Sequence, residues 1–374
     1  MIRELYIDNF RCLVNFKIEP DRFQLWLGDN GSGKSSVLDA LRSIQRVVNG
    51  DHISDVFPAD SRTAWETRPL QSFRVVMPSG KGALRYDLSV DYRDAAKNKE
   101  KRRRIARESL TWNDETFYLF DGGEAHLYGL DAATHRPEEN ARFSADEGRS
   151  VIPSVAERED NYPLTLFREQ VRQWLIVQPI PTAMSQYADT EARTLSRHAE
   201  NFANWYWRLS LEKPGIGFKA RDSIREVLPG FEELAFRDSG DSKKLRATFR
   251  IDNKDRVFDF ADLSDGQRQI VVLYTLLEAL RSGMHSVLFI DEPDNFISLR
   301  EIAPWLEQLR DICEEDKRQA ILISHHPSIV NRMARGDELW FSRREGAHVV
   351  TGPYPTTDGL TPAETMERGW EENE

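Results

Sequence analysis

The chain has 374 residues, 40% hydrophobic and 30% charged, which is enough apolar material for a sizeable buried core. A formal net charge of −11 argues against a surface coated in cations for bulk nucleic-acid binding. The two cysteines, Cys12 and Cys313, form no CxxC pair, which argues against a disulfide framework and a Cys-rich zinc site and suits a reducing cytoplasm.

IRELYI, VNFKI and FQLWL read as three short strands, and the opening MIRELYIDNF has no apolar signal core. No apolar run is long enough to span a bilayer, so a cytoplasmic protein without a membrane partner is expected. Directly after the third strand comes LGDNGSGKSS (27–36), in which Gly28, four residues and Gly33-Lys34-Ser35 complete the P-loop template. Glycines let the backbone wrap so that successive N–H groups face one concavity, and the positive end of the following helix adds to the cradle. Lys34 is expected to reach the β- and γ-phosphates of a nucleotide and the Ser35 hydroxyl to ligate Mg²⁺. SSVLDALRSIQRVV places Val37, Leu38, Leu41, Ile44 and Val47 at helical spacing.

Residues 50–70 read as a loop, and FRVVM, ALRYDLSVDY, ESLTWN, TFYLF and EAHLYGL as successive β segments. Within them KNKEKRRRIAR (97–107) is the strongest local charge run, either a solvated hairpin tip, a contact to a DNA backbone or a basic face for an acidic protein. Residues 130–160 are Asp/Glu/Arg/Gly-rich without periodicity and are expected to form a mobile insert. LFREQVRQ leads into the strand WLIVQPI, and a mostly helical stretch follows to about 260, closing with the alternating LRATFRI and RVFDF. Trp205, Tyr206 and Trp207 in that stretch read as helix core rather than a base-stacking platform.

LSDGQRQ (263–269) opens a long apolar helix, where Ser264, Gly266 and the helix-start N–H groups make an anion-binding corner or, more plainly, a cap through Ser264 or Asp265. SVLFIDEP ends a buried strand on Asp291, suited to hold Mg²⁺, and Glu292, suited to orient or deprotonate water. ILISHHP ends another strand on Ser324-His325, and DELWFSRREGAHVV reads as a late strand pair. The helix–strand alternation around these segments indicates a parallel α/β core.

Taken in this order, the segments resemble the ATP-binding cassette (ABC) ATPases, and among them the SMC/RecF-type branch. GDNGSGKSS is similar to its Walker A, LSDGQ to its signature loop, LFIDEP to its Walker B and ISHHP to its His-switch loop. The opening strand followed by Asn9-Phe10-Arg11 resembles the same branch. The resemblance implies an α/β ABC-ATPase head with a P-loop core sheet, an antiparallel β subdomain and a helical signature lobe. It divides the chain into 1–182, 183–285 and 286–374, the outer two forming one ATP-binding lobe. It implies ATP and Mg²⁺ as cofactors. Asn30, Gly31, Ser32, Gly33, Lys34, Ser35 and Ser36 would hold the nucleotide, and Ser35, Gln178 and Asp291 the metal. Glu292 would be the catalytic base and His325 the γ-phosphate sensor. Ser264, Gly266 and Gln267 would reach the nucleotide of a second subunit, and Gln178 would be the Q-loop glutamine. Two positions depart from the pattern: Asp265 stands where transporters carry Gly, and Ser298 where the D-loop often has Asp.

The interval from Lys34 to Ser264 is more than twice that of transporters, and no coiled-coil arm fills it. The chain therefore resembles compact stand-alone heads, namely RecF-like repair ATPases and the ATPase subunits of prokaryotic anti-phage systems related to OLD nucleases, more closely the second. No Asp-x-Asp pair of a Toprim nuclease is present. The resemblance thus implies an ATPase that forms at least a dimer around ATP and serves as sensor or scaffold for a separate effector, such as a Toprim or HNH nuclease or a toxin. A RecF-like clamp that binds DNA directly is the alternative.

Overall fold

The computed structural model describes residues 1–80, 82–93, 103–333, 339–346, 348–354 and 359–368. In chain order the first elements are β1 (Glu4–Asp8), β2 (Phe16–Ile18), β3 (Phe23–Gly28), α1 (Lys34–Val48) and α2 (Ile53–Val56). Six strands follow: β4 (Leu70–Ser79), β5 (Gly82–Asp91), β6 (Arg104–Trp112), β7 (Glu115–Asp121), β8 (Glu124–Leu130) and β9 (Pro137–Ser144). Next come α3 (Tyr162–Arg172), β10 (Trp174–Val177), β11 (Tyr187–Ala188), α4 (Phe202–Glu212), α5 (Pro214–Val227), β12 (Phe231–Ser239), β13 (Ser242–Ile251) and β14 (Lys254–Asp259). The chain ends with α6 (Asp265–Arg281), β15 (Val287–Asp291), α7 (Leu299–Glu315), β16 (Gln319–Ile323), α8 (Pro327–Arg332), β17 (Leu339–Glu345), β18 (His348–Pro353) and α9 (Pro362–Glu367).

The chain groups into two compact units. One comprises Met1–Asp21, Gly28–Trp174 and Trp340–Pro353; the other comprises Arg22–Leu27, Leu175–Leu339 and Tyr354–Glu374.

The first unit is built on an antiparallel sheet in the order β2-β1-β4-β5-β6-β7-β8-β9. Its middle strands alternate strictly: Phe73, Val75 and Met77 of β4 and Leu84, Tyr86, Leu88 and Val90 of β5 are buried while their neighbours face outward. That period of two is what a one-faced sheet requires. α1 buries Val37, Leu38, Leu41, Ile44, Val47 and Val48 and is held to the end of α3 by Gln45, whose amide donates to the Val171 and Trp174 carbonyls at 2.9 Å each. The 130–160 segment is not an irregular insert. β9 pairs with β8 along most of its length, because a backbone ladder needs no apolar side chains at a sheet edge. Of the basic run, residues 97–102 lie outside the described residues. Arg103 donates to the Ser54 carbonyl, and Arg104 opens β6 paired with Asp91 and Glu147.

In the second unit β10, β15, β16 and β3 lie side by side, with β15–β16 and β16–β3 parallel. Every residue of these four strands is buried, which explains their continuous apolar runs. The 183–285 stretch contains more strand than its helical reading gave: β12 and β13 form a hairpin extended by β11 and β14. Trp205 and Tyr206 are buried beside Phe202 and belong to the core, whereas Trp207 is half-buried against Phe236. α6 and α7 lock together through the Trp305 indole donating to the Leu273 carbonyl and the Tyr274 hydroxyl donating to the Glu301 carbonyl.

Candidate nucleotide site

The P-loop is the segment through which β3 leaves its sheet. Gly28, Gly31 and Gly33 hold φ of 136°, 82° and 91°, all in the left-handed region. Gly33 is also sterically required, since a Cβ there would stand 2.9 Å from Leu13 Cδ2 and 3.2 Å from Cys12 Sγ. Lys34 folds back over the loop, its ammonium donating to the carbonyls of Gly28 and Asp29 at 2.5 and 2.9 Å and to the Ser32 hydroxyl at 3.3 Å. α1 begins on Gly33 with no side-chain cap and no acidic residue in its first turn. An uncapped N-terminus with a buried ammonium beside it fits a polyphosphate. Asn9 and Arg11 border this region, both with positive φ. Asn9 is buried, donating to the Arg68 and Leu70 carbonyls, and Arg11 pairs with Asp39 of α1.

In the second unit the register fixes which acids meet. Asp291 and Ile323 are partners on β15 and β16, the Glu292 N–H donates to the Ile323 carbonyl at 2.8 Å, and Trp26 of β3 pairs with Ile323 from the other side. Asp291, Glu292, Ser324 and His325 therefore leave one edge of a parallel sheet, the carboxyl-terminal edge where α/β proteins place ligands. Asp291 and Ser324 are buried, whereas His325 is exposed. The neighbouring His326 has a plain structural use, its Nδ1 accepting from the Ser328 N–H at the start of α8.

Gln178 directly follows β10, but its side-chain oxygen accepts from Arg197 at 3.2 Å, so it turns toward a metal only by exchanging that bond. The Ser35 hydroxyl of the first unit and the Asp291 carboxylate of the second are each a hard oxygen donor of the kind Mg²⁺ prefers. Among the described residues no group of three or more His, Cys, Asp or Glu side chains could hold a metal by itself.

The signature segment starts α6 with a full capping box: the Ser264 hydroxyl accepts from the Gln267 N–H, and the Gln267 side chain accepts from the Ser264 N–H. The unusual Asp265 is explained locally. It accepts from Arg268 at 2.6 Å, and Arg268 in turn donates to the Pro181 carbonyl. Sequence reading missed three residues here. Asn295 donates to the Glu292 carboxylate at 2.8 Å, Gln269 donates to the Pro293 carbonyl at 3.1 Å, and Arg268 ties the signature turn to the segment after β10. No local pattern marks Asn295 or Gln269, because both act across a gap of sequence or on a side chain.

The fold is that of an SMC-type ABC ATPase head domain. Residues 27–331 match the family described as "AAA domain, putative AbiEii toxin, Type IV TA system", and the chain belongs to that family. An SMC head bound to the C-terminal winged-helix domain of ScpA is similar over 94% of this chain and 98% of its own, with TM-score 0.54 and 13% identity. An SMC head with an extended coiled coil, bound to the C-terminal domain of ScpA and derived from Pyrococcus furiosus, is similar over 100% and 99%, with TM-score 0.55 and 14% identity. At that identity the likeness is one of fold. No curated protein matches the chain in sequence. No helix among the described residues is long and apolar enough to cross a membrane.

Proposed function

We propose that the chain binds Mg²⁺·ATP on the P-loop and hydrolyses it, using closure of two copies around nucleotide as a switch for a separate effector. Lys34 and the N–H groups at the start of α1 bind the phosphates, and Ser35 and Asp291 hold the metal, which neutralises phosphate charge when bound. Glu292 accepts the proton of the attacking water, and His325 marks the presence of the γ-phosphate. Ser264, Gly266 and Gln267 of one copy meet the nucleotide of the other. The observation that carries the reading is the Asp291–Ile323 register, which sends both carboxylates and His325 out of the sheet edge from which β3 runs into the P-loop.

The reading of this switch as a subunit of a prokaryotic anti-phage defence complex draws on the toxin–antitoxin description of the family, and the assembly with other proteins on the ScpA-bound SMC heads of like fold. Radiolabelled ATP turnover and light scattering test the switch. Glu292→Gln should bind ATP and accumulate a larger species, and Ser264→Arg should bind ATP without forming it. Identical mass distributions for the two variants would sink the head-to-tail closure. Expression of the chain alone should be harmless and give no phage protection, while co-expression with the product of its neighbouring gene should give both triggered toxicity and protection. Nuclease activity from the purified chain that tracks with its own variants would overturn the effector in trans.

A further inference from the structure

The loop after β15 holds its catalytic candidate in a conformation that its own sequence does not favour. Glu292 has φ 50° and Phe296 has φ 72°, both in the left-handed region that residues with a Cβ enter at a cost. Glu292 is nevertheless fixed at three points. Its N–H donates to the Ile323 carbonyl, its own carbonyl accepts from the Asn295 N–H at 3.3 Å, and its carboxylate accepts from the Asn295 side-chain amide at 2.8 Å. Asn295 supplies two of the three.

Asn295 is exposed, so packing does not place it; the loop does. Two contacts from the first turns of α6 hold that loop. The Gln269 amide, fully buried, donates to the Pro293 carbonyl at 3.1 Å, and Gly266 lies so close to the loop that a Cβ there would be 2.7 Å from the Phe296 carbonyl oxygen. The Gln269 side-chain oxygen has no hydrogen-bond partner among the described residues. A buried amide with one half unsatisfied is a poor core residue, and an apolar side chain would fill the space at less cost. Its use is the bond to Pro293.

We infer that Asn295 is a positioning residue for the Glu292 carboxylate, and that Gln269 and Gly266 hold the loop on which Asn295 stands. The same α6 turn that meets a second copy's nucleotide thereby sets the geometry of this copy's own acid. The inference rests on the reading of Glu292 as the group that acts on water. An N–H donor on one carboxylate oxygen limits the side chain's rotation. Movement of the α6 start is therefore felt at Pro293 and Phe296 before it reaches Glu292.

Single-turnover ATP hydrolysis by the full chain tests this. Asn295→Ala should lose roughly tenfold to a hundredfold in rate with little change in the ATP concentration at half-saturation. Asn295→Asp keeps the size of the side chain and its capacity to bond the turn, but replaces the donor with a like charge. It should fall at least as far. Gln269→Leu should lose rate in the same direction, and the Asn295→Ala/Gln269→Leu double variant should be no slower than Asn295→Ala alone. Asn295→Asp at wild-type rate would overturn the inference, as would independent, multiplying losses in the double variant. Should Gln269→Leu lower the unfolding temperature, the exposed Asn295 variants still decide the matter. A Glu292→Gln chain that still turns over would remove the underlying reading, whereas an inactive Glu292→Gln beside a fully active Asn295→Asp would remove only this inference.

Discussion

The P-loop and the loop after β15 both need backbone in the left-handed region, and they meet the need in opposite ways. In the P-loop the positive φ values fall on Gly28, Gly31 and Gly33, which adopt them without a Cβ penalty. After β15 they fall on Glu292 and Phe296, and the conformation is imposed from outside by the Ile323 carbonyl, Asn295, Gln269 and the close approach of Gly266. A phosphate cradle must present backbone N–H groups, so side chains are in the way. The carboxylate proposed to act on water must be a side chain, so its residue cannot be glycine. The cost of the second arrangement, about 1–2 kcal/mol for each left-handed residue with a Cβ, has to be offset by tertiary contacts.

Substitutions that exchange the two solutions probe this contrast, and the largest effects fall on the chemistry. Glu292→Gln removes the acid while keeping its shape, and hydrolysis should drop by roughly 10²–10⁴-fold with ATP still bound, as read from initial rates and nucleotide retention. Lys34→Ala deletes the cation that now donates to the Gly28 and Asp29 carbonyls, and ATP affinity should fall by roughly one to two powers of ten in a titration. Unchanged affinity would mean that the loop's backbone alone binds phosphate.

Smaller effects fall on the backbone itself. Gly33→Ala should destabilise the chain by about 1–2 kcal/mol from its φ alone, and by more once the new Cβ meets Leu13 and Cys12. Gly31→Ala, whose Cβ would meet nothing within 4 Å, should show only the conformational part. Equal losses in chemical denaturation would break the distinction between them. Phe296→Gly runs the opposite way. Relief of the left-handed strain, less the added freedom of the unfolded chain, should raise stability by about 0.5 kcal/mol. If the loop's geometry serves Glu292, that gain should come with slower hydrolysis; a more stable and equally active variant would show the strain to be incidental.

Much of the fold follows from local pattern. The alternation in β4 and β5, the continuous apolar runs of β3, β15 and β16 and the helical spacing in α1 each announce their element, because one face or both faces must be buried. Where polarity hides the pattern, pairing still occurs. β9 was unreadable because its ladder to β8 is made by backbone, and β12 was absorbed into a helical reading although it pairs with β13. The basic run reads as a solvated hairpin tip, a DNA-backbone contact or a basic face for an acidic protein; within it Arg104 is engaged with Asp91 and Glu147 and Arg103 with the Ser54 carbonyl.

By itself, the sequence determined the P-loop, the two acids at the end of β15 and the capped start of α6. Each is a short stretch whose glycines, hydroxyls or apolar run perform their task within a few residues of one another. The tertiary structure alone decided what those groups hold. It put Gln178 on Arg197, explained Asp265 through Arg268 and Pro181, and placed Asn295 on Glu292 in a loop held by Gln269 and Gly266. The physical reason is range: a hydrogen bond between residue 269 and residue 293 leaves no periodicity in either segment, and a left-handed glutamate looks like any other until the contacts that hold it are known.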